Sequence, residues 1–522
     1  MNMKSRLLLL IVVVILGQCT PKLTPQRQYS VTSNEALLPK REFRAAWVAS
    51  INNIDWPSKK TLNSEQQQQE FIHILDSHKK TRLNAIFVQV RAASDAFYAR
   101  STEPWSEWLA GAQGKAPEPY YDPMRFMIEE THKRNMEFHA WLNLNRGTKI
   151  NAKNIIQDHI TKTQPEWFVS YGGYKLYNFG IPEVRKYIQE LVVNMVRTYD
   201  VDGIHFDDYF YPYIIAGETF NDAATFKEYG SGFDNIGDWR RQNINLLIKD
   251  ISKAISEEKK WVKFGISPFG VWRNASTDKL GSPTEGGQPS YDNLYADTRK
   301  WANLGWVDYI APQVYFSFDH PKVPYLPLVN WWEENHGNRH LYIGHSVYKV
   351  DKDSPEKSWR SAGQIGKQVR SNYASDEISG SIFYSTKHLV NNNLGIADTL
   401  SDIYKYQALL PTMPWKDAIP PNSPLGLEVK KVDNLGAMVS WKLPLIISRD
   451  KDEIQSFVLY RFEEGEEMNL ENPRNIVSVI RNVGLLNFVD RNISNKKSYF
   501  YVITALDRLH NESSPSNQFF LK

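Results

Sequence analysis

Residues 202–212 read DGIHFDDYFYP, a short apolar run that ends in two adjacent carboxylates and an aromatic cluster. Side chains on a strand alternate faces, so Ile204 and Phe206 share one face while His205 and Asp207 share the other. The apolar pair suits packing beneath outer helices. Asp207 then points inward where the strand gives out, and Asp208 falls on the outward parity unless the strand has already ended.

Seven further runs of this kind occur: FRAAWVAS from 43, AIFVQVR from 85, EFHAWLNLN from 137, VKFGISPF from 262, DYIAPQVYF from 308, HLYIGHSVY from 340 and GSIFYSTKH from 380. Between them lie segments such as SEQQQQEFIHILDSHKKTRL and PEVRKYIQELVVNMVRTYD, whose apolar residues recur at three and four. Strands alternating with helices predict a parallel sheet, and eight such units predict a closed (β/α)₈ barrel, the TIM barrel, over 41–408. This span exceeds the usual length of that fold, so the loops after the second, third and fifth strands carry the excess. Chemistry in such a barrel sits at the carboxyl ends of its strands.

The same parity test selects Gln89 and Arg91 on the second strand, Trp141, Asn143 and Asn145 on the third, and Gln313 and Tyr315 on the sixth. Polar groups at positions that apolar residues normally fill need partners. They suit either a site for a polar substrate or a self-satisfied plug in the barrel. Glycoside hydrolysis needs two carboxyl groups across the scissile bond. Asp207 supplies one; Asp208, Asp95, Glu285 and Asp55 each reach in from a loop as candidates for the other. Asp208 is preferred for its proximity, since an adjacent pair raises one pKa by repulsion. The bland alternative for Asp208 is a cap for the following turn.

The composition narrows the class. The 522 residues, 42% hydrophobic and 13% aromatic, suffice for two or three domains. Balanced charge, 62 Lys and Arg against 59 Asp and Glu for a net +3, argues against a nucleic-acid partner. At the N-terminus, Lys4 and Arg6 precede the apolar run LLLLIVVVILG, which predicts a signal peptide over 1–18. LGQC follows, with Cys19 the single cysteine. This setting resembles a bacterial lipobox, which implies lipidation of Cys19, a membrane anchor and a flexible tether over 19–40. No intramolecular disulfide is available.

REFRAAWVASINNIDWPS at 41–58, DGIHFDDYFYP at 202, GISPFGVWRN at 265, SYDNLYADTRKWANLGWVDYIAPQVYF at 290–316 and IGHSVY in the seventh strand resemble the glycosyl-hydrolase-like 10 family of exported bacterial proteins. The resemblance implies a TIM-barrel glycoside hydrolase. A family relative, a divisome-localised lipoprotein, cleaves peptidoglycan glycan strands already stripped of their peptides. The fourth strand is also similar to that of α-amylase-type barrels, which implies that Asp207 is a nucleophile or electrostatic stabiliser. Chitinase-type barrels end this strand in a catalytic Glu, where Tyr209 stands here.

Beyond the barrel, LLPTMPWKDAIPPNSP at 409–424 predicts a Pro-rich linker. Residues 425–522 change to short alternating strands, the pattern of a small immunoglobulin-like sandwich. Trp441 and YFYVITALD resemble a fibronectin type III module, with protein or glycan contacts as its expected use. Neither GHSVY nor GISPFG completes G-x-S-x-G, GAQGKAP lacks P-loop spacing, and the first strand has no His-x-His. No metal or cofactor is therefore expected. His205 reads as an orienting partner.

Two functions follow from the sequence. The first is a lipid-anchored glycoside hydrolase acting on an envelope amino-sugar polymer, peptide-free peptidoglycan foremost, with dietary or host glycans as the alternative substrate. Catalysis falls to Asp207 and Asp208. Arg91, Asp95, Asn143, Asn145, His205, Gln313 and Tyr315 hold the sugar, and Trp141 and Trp272 offer apolar faces. The second is a surface lipoprotein that binds glycan in the same cleft without cleaving it.

Overall fold

A computed structural model describes residues 38–432, 435–444, 454–481 and 484–521. The expected signal peptide, Cys19 and nearly all of the tether lie outside them. Among the described residues no helix is long and apolar enough to cross a membrane.

All eight runs become strands of one closed parallel barrel. They are β1 (Phe43–Val48), β2 (Ala85–Arg91), β3 (Glu137–Leu142), β7 (Gly203–Phe206), β8 (Lys263–Ile266), β9 (Tyr309–Ile310), β10 (His340–Ser346) and β11 (Ile378–Tyr384). The gap in numbering holds an excursion after β3. There β4 (Arg146–Lys149), β5 (Phe168–Tyr171) and β6 (Tyr174–Tyr177) form a small antiparallel sheet in the order β4-β6-β5.

Strand parity sorts the side chains as the alternation requires. Ile86, Val88, Phe138, Ala140, Ile204 and Phe206 pack outward in the layer shared with the helices. Phe43, Trp47, Phe87, Trp141 and Tyr309 fill the barrel. The outer helices carry local signals for their ends. Ser64–Lys80 begins at an Asn63 capping box with Gln66, ends in basic residues and buries Phe71, Ile74, Leu75 and His78 on one stripe. Pro182–Thr198 starts at Pro182 and buries Val184, Ile188, Leu191 and Met195.

Residues 409–424 do not stand clear of the barrel, as a free linker would. Leu410 and Met413 are buried with the barrel-interior residues, and Trp415 and Lys416 both reach Asp308, at 2.9 and 3.0 Å. The C-terminal residues form the expected all-β unit of two sheets. One contains β12 (Leu425–Val432), β13 (Gly436–Lys442) and β16 (Asn487–Asp490); the other contains β14 (Ser456–Glu463), β15 (Ile476–Ile480), β17 (Tyr499–Leu506) and β18 (Phe519–Leu521). The sandwich is fastened to the amino-terminal end of the barrel. Arg481 bridges to Asp202 at 2.7 Å, and His510 enters the floor to meet Glu137 at 2.6 Å.

Candidate active site

The strand of the opening motif stops at Phe206, so both carboxylates lie past its end and both turn toward the barrel mouth. Asp207 is 6% and Asp208 4% exposed. Asp207 faces β3: its Oδ2 accepts from Trp141 Nε1 at 3.3 Å and Asn143 Nδ2 at 3.4 Å. Its Oδ1 accepts the Tyr209 N–H at 3.2 Å, so the turn is capped by Asp207 rather than by Asp208. Asp208 faces the opposite way. It accepts from the Tyr213 hydroxyl at 2.6 Å and from Gln313 Nε2 at 3.0 Å.

Burial and then the neighbouring Asp208 push Asp207 up to about 8, against the opposing pull of Arg146 and the Tyr209 N–H. Burial also raises Asp208, but Tyr213 and Gln313 hydrogen-bond its ionised form. Because each feels the other's charge, the two carboxyls titrate as a pair. Asp207, raised to about 8, is the member drawn toward its protonated form at neutral pH. Arg146 stands on the rim with its guanidinium 4.5 Å over the Tyr209 ring, where it moderates both acids.

Above the pair opens a small cleft of about 150 Å³. Trp47, Trp141, Tyr315 and Tyr384 line it with Tyr209, Tyr213, Ser267 and Gln313. Tyr315 and Tyr384 lie nearly parallel, 6.4 Å apart, and Tyr209, Tyr213 and Phe269 form a second aromatic row. Aromatic faces beside paired acids suit a pyranose ring, whose C–H face is apolar and whose hydroxyls are not. Asp207 and Asp208 supply the carboxyl groups of the lining.

Of the residues selected from sequence, Trp141, Asn143, Gln313 and Tyr315 meet at this mouth with the two acids. His205 sits one layer below. It is fully buried against Trp47, Ser267 and Tyr309, and burial keeps its ring neutral. Arg91 is spent elsewhere: it is fully buried and forms a two-pronged pair with Glu103, with both contacts at 2.6 Å. Asp95 caps its own loop through the N–H groups of Ala92 and Ala93. Asn145 holds the Phe210 carbonyl at 2.9 Å. Trp272 lies in a separate hollow, stacked on Trp331 with its indole on Asp297. Asp55 is taken up by Ala49, Ser385 and Lys387, Gln89 by the N–H groups of Ser50 and Ile51, and Glu285 is exposed away from the cleft.

Sequence reasoning passed over Trp47, Tyr213, Ser267, Tyr384 and Arg146. Trp47 has the inward parity of β1, so the alternation that selected Trp141 could have found it too. Tyr213, Ser267 and Arg146 lie past strand ends, where alternation no longer tells direction. Among the described residues no group of three or more His, Cys, Asp or Glu is arranged to hold a metal.

A family model described as Glycosyl hydrolase-like 10 matches residues 42–361. The Glycosyl hydrolase YngK of Bacillus subtilis (strain 168) is 43% identical over 484 residues, covering 92% of this chain and 93% of that protein. The Glycosyl hydrolase DigH of Escherichia coli (strain K12) is 38% identical over 371 residues, covering 66% of this chain and 83% of its own. Among solved structures, the PgaB (BpsB) glycoside hydrolase domain from Bordetella bronchiseptica aligns at 13% identity with a TM-score of 0.47, covering 71% of this chain and 100% of that one.

Proposed function

The chain belongs to the glycosyl hydrolase-like 10 family, and from that premise we propose that its cleft cleaves glycosidic bonds of an envelope amino-sugar polysaccharide, foremost peptidoglycan strands freed of their peptides. One observation carries the catalytic part: two buried carboxyls at the open end of the barrel, bonded in opposite directions, with Asp207 raised to about 8 by burial and its acidic neighbour, and Asp208 held by Tyr213 and Gln313. That asymmetry is what general acid catalysis at a glycosidic oxygen requires.

In this reading Asp207 gives its proton to the leaving oxygen as the C1–O bond breaks. The Asp208 carboxylate, aimed by Tyr213 and Gln313, stabilises the positive charge that develops at the sugar. Water adds to C1, and the proton it sheds returns to Asp207. The roles differ from those implied by the α-amylase likeness, in which Asp207 is the nucleophile or stabiliser. Trp47, Tyr315 and Tyr384 offer faces to the flanking sugar rings. The LGQC motif supports lipid on Cys19, which would hold the enzyme at the membrane beside its substrate.

The test is a substrate panel. The protein is incubated separately with peptide-free peptidoglycan strands, chitin, and plant or host oligosaccharides, and products are weighed by mass spectrometry. Short fragments from the peptide-free strands are expected. Fragments from another glycan alone would reassign the substrate, and binding without any product would favour a glycan-binding protein.

A further inference from the structure

The polar groups inside the barrel form one column from the cleft to its floor. Trp47 Nε1 lies 3.1 Å and Ser267 Oγ 3.0 Å from His205 Nε2. His205 Nδ1 is 3.1 Å from the Tyr309 hydroxyl, which is 3.2 Å from His139 Nδ1. His139 Nε2 stands 3.0 Å from Glu137 Oε2. Glu137 Oε1 meets His510 Nε2 at 2.6 Å and also receives the Lys263 ammonium. The upper members, Trp47 and Ser267, line the cleft with the two acids; the lowest, His510, belongs to the sandwich.

The ends of this column dictate the protons between them. An indole N–H only donates and a carboxylate only accepts. Trp47 therefore makes His205 Nε2 an acceptor, which leaves the ring hydrogen on Nδ1 for Tyr309. Tyr309 passes its own hydrogen to His139 Nδ1, and His139 donates from Nε2 to Glu137. Ser267, facing a nitrogen without hydrogen, must donate as well. Every bond points down toward Glu137, and reversing one would set two donors head to head in a dry core.

The sandwich holds His510 for this contact. His510 has φ +65°, a left-handed conformation that few residues other than glycine adopt. Its loop is clamped around it: Asp507 Oδ1 accepts the N–H groups of Leu509 and Asn511, and Asn511 Nδ2 reaches both Asp507 Oδ2 and the Asp417 carbonyl.

We propose that the C-terminal sandwich is a working part of the catalytic unit, in which His510 and Glu137 are positioning residues that anchor the lower end of the column whose upper end, the His205 ring, holds the Trp47 indole and Ser267 hydroxyl at the cleft. This deepens the hydrolase reading of that cleft and rests on it. It also gives the C-terminal module a task that a spacer does not have.

Two full-chain variants test it. His510→Gln keeps an N–H donor for Glu137, whereas His510→Leu removes it. The leucine variant should lose kcat while the glutamine variant recovers most of it. Equal losses in both, or none in either, overturn the proposal. A second measurement needs no substrate. In wild-type protein labelled with ¹⁵N at the histidine rings, the His205 signal, identified by its absence from His205→Asn, should carry hydrogen on Nδ1. Hydrogen on Nε2 overturns the column. If no glycan is cleaved while this spectrum holds, the hydrolase reading fails and the tautomer assignment stands.

Discussion

Asp207 holds its proton more tightly in the fold than in the unfolded chain, because burial and then Asp208 disfavour its charge. Its contribution to stability is therefore complete below the unfolded carboxyl value, near pH 4, and is lost as pH rises through about 8. Asp207→Asn removes that penalty. We expect the variant to melt several degrees above wild type at pH 9 and close to it at pH 4; a shift of the same size at both values would show that the carboxyl is not protonated in the fold. At this scale the sequence was legible where a strand gave direction. Asp207, Trp141 and His205 took the facing that alternation assigns. Arg91 has the inward parity too, but Glu103, twelve residues on, claims it first, and nothing local in the sequence announces that partner.

The barrel strands depend on small residues opposite large ones. Gly203 leaves room for His139, and Gly265 for Tyr309, where an added Cβ would sit 2.2 Å from the Tyr309 ring. Gly265→Ala should therefore destabilise the protein by about 1–3 kcal/mol, measured by urea unfolding, because Tyr309 is packed on every side and cannot yield. A neutral result would mean that the interior is looser than its contacts indicate. All eight strands could be found because a buried parallel strand is a short apolar run between helical patterns. The excursion sheet was missed although it has a signal: SYGGYKLY contains Gly172 and Gly173 at φ +57° and +78°, the paired positive values of a tight hairpin turn. Its strands are four residues long, too brief for alternation to show.

At the scale of the molecule, the sandwich and barrel are joined through ions taken out of water. Burial opposes the charge on Asp202, but Arg481 and His132 hold its carboxyl well below the usual range; Lys263 and His510 do the same for Glu137. Both carboxylates add stability above pH about 4 that drains away as pH falls through their depressed values. Arg481→Ala breaks a pair that is nearly buried, with side chains 11% and 6% exposed, and should cost about 3 kcal/mol. Calorimetry of that variant should show the sandwich melting ahead of the barrel, where wild type should give one transition. Two transitions in wild type would show that the contact does not couple the domains. The domain order was legible from composition and strand length. Their docking was not, because Arg481 and Asp202 lie 279 residues apart and no local pattern pairs them.

Hydrolysis at Asp207 and Asp208 is probed by following reducing-end release from peptide-free glycan strands by wild type, Asp207→Asn and Asp208→Asn, with strand binding measured on the same preparations. Binding kept in all three, with release confined to wild type, is the predicted result. Release by Asp207→Asn at the wild-type rate would contradict the account.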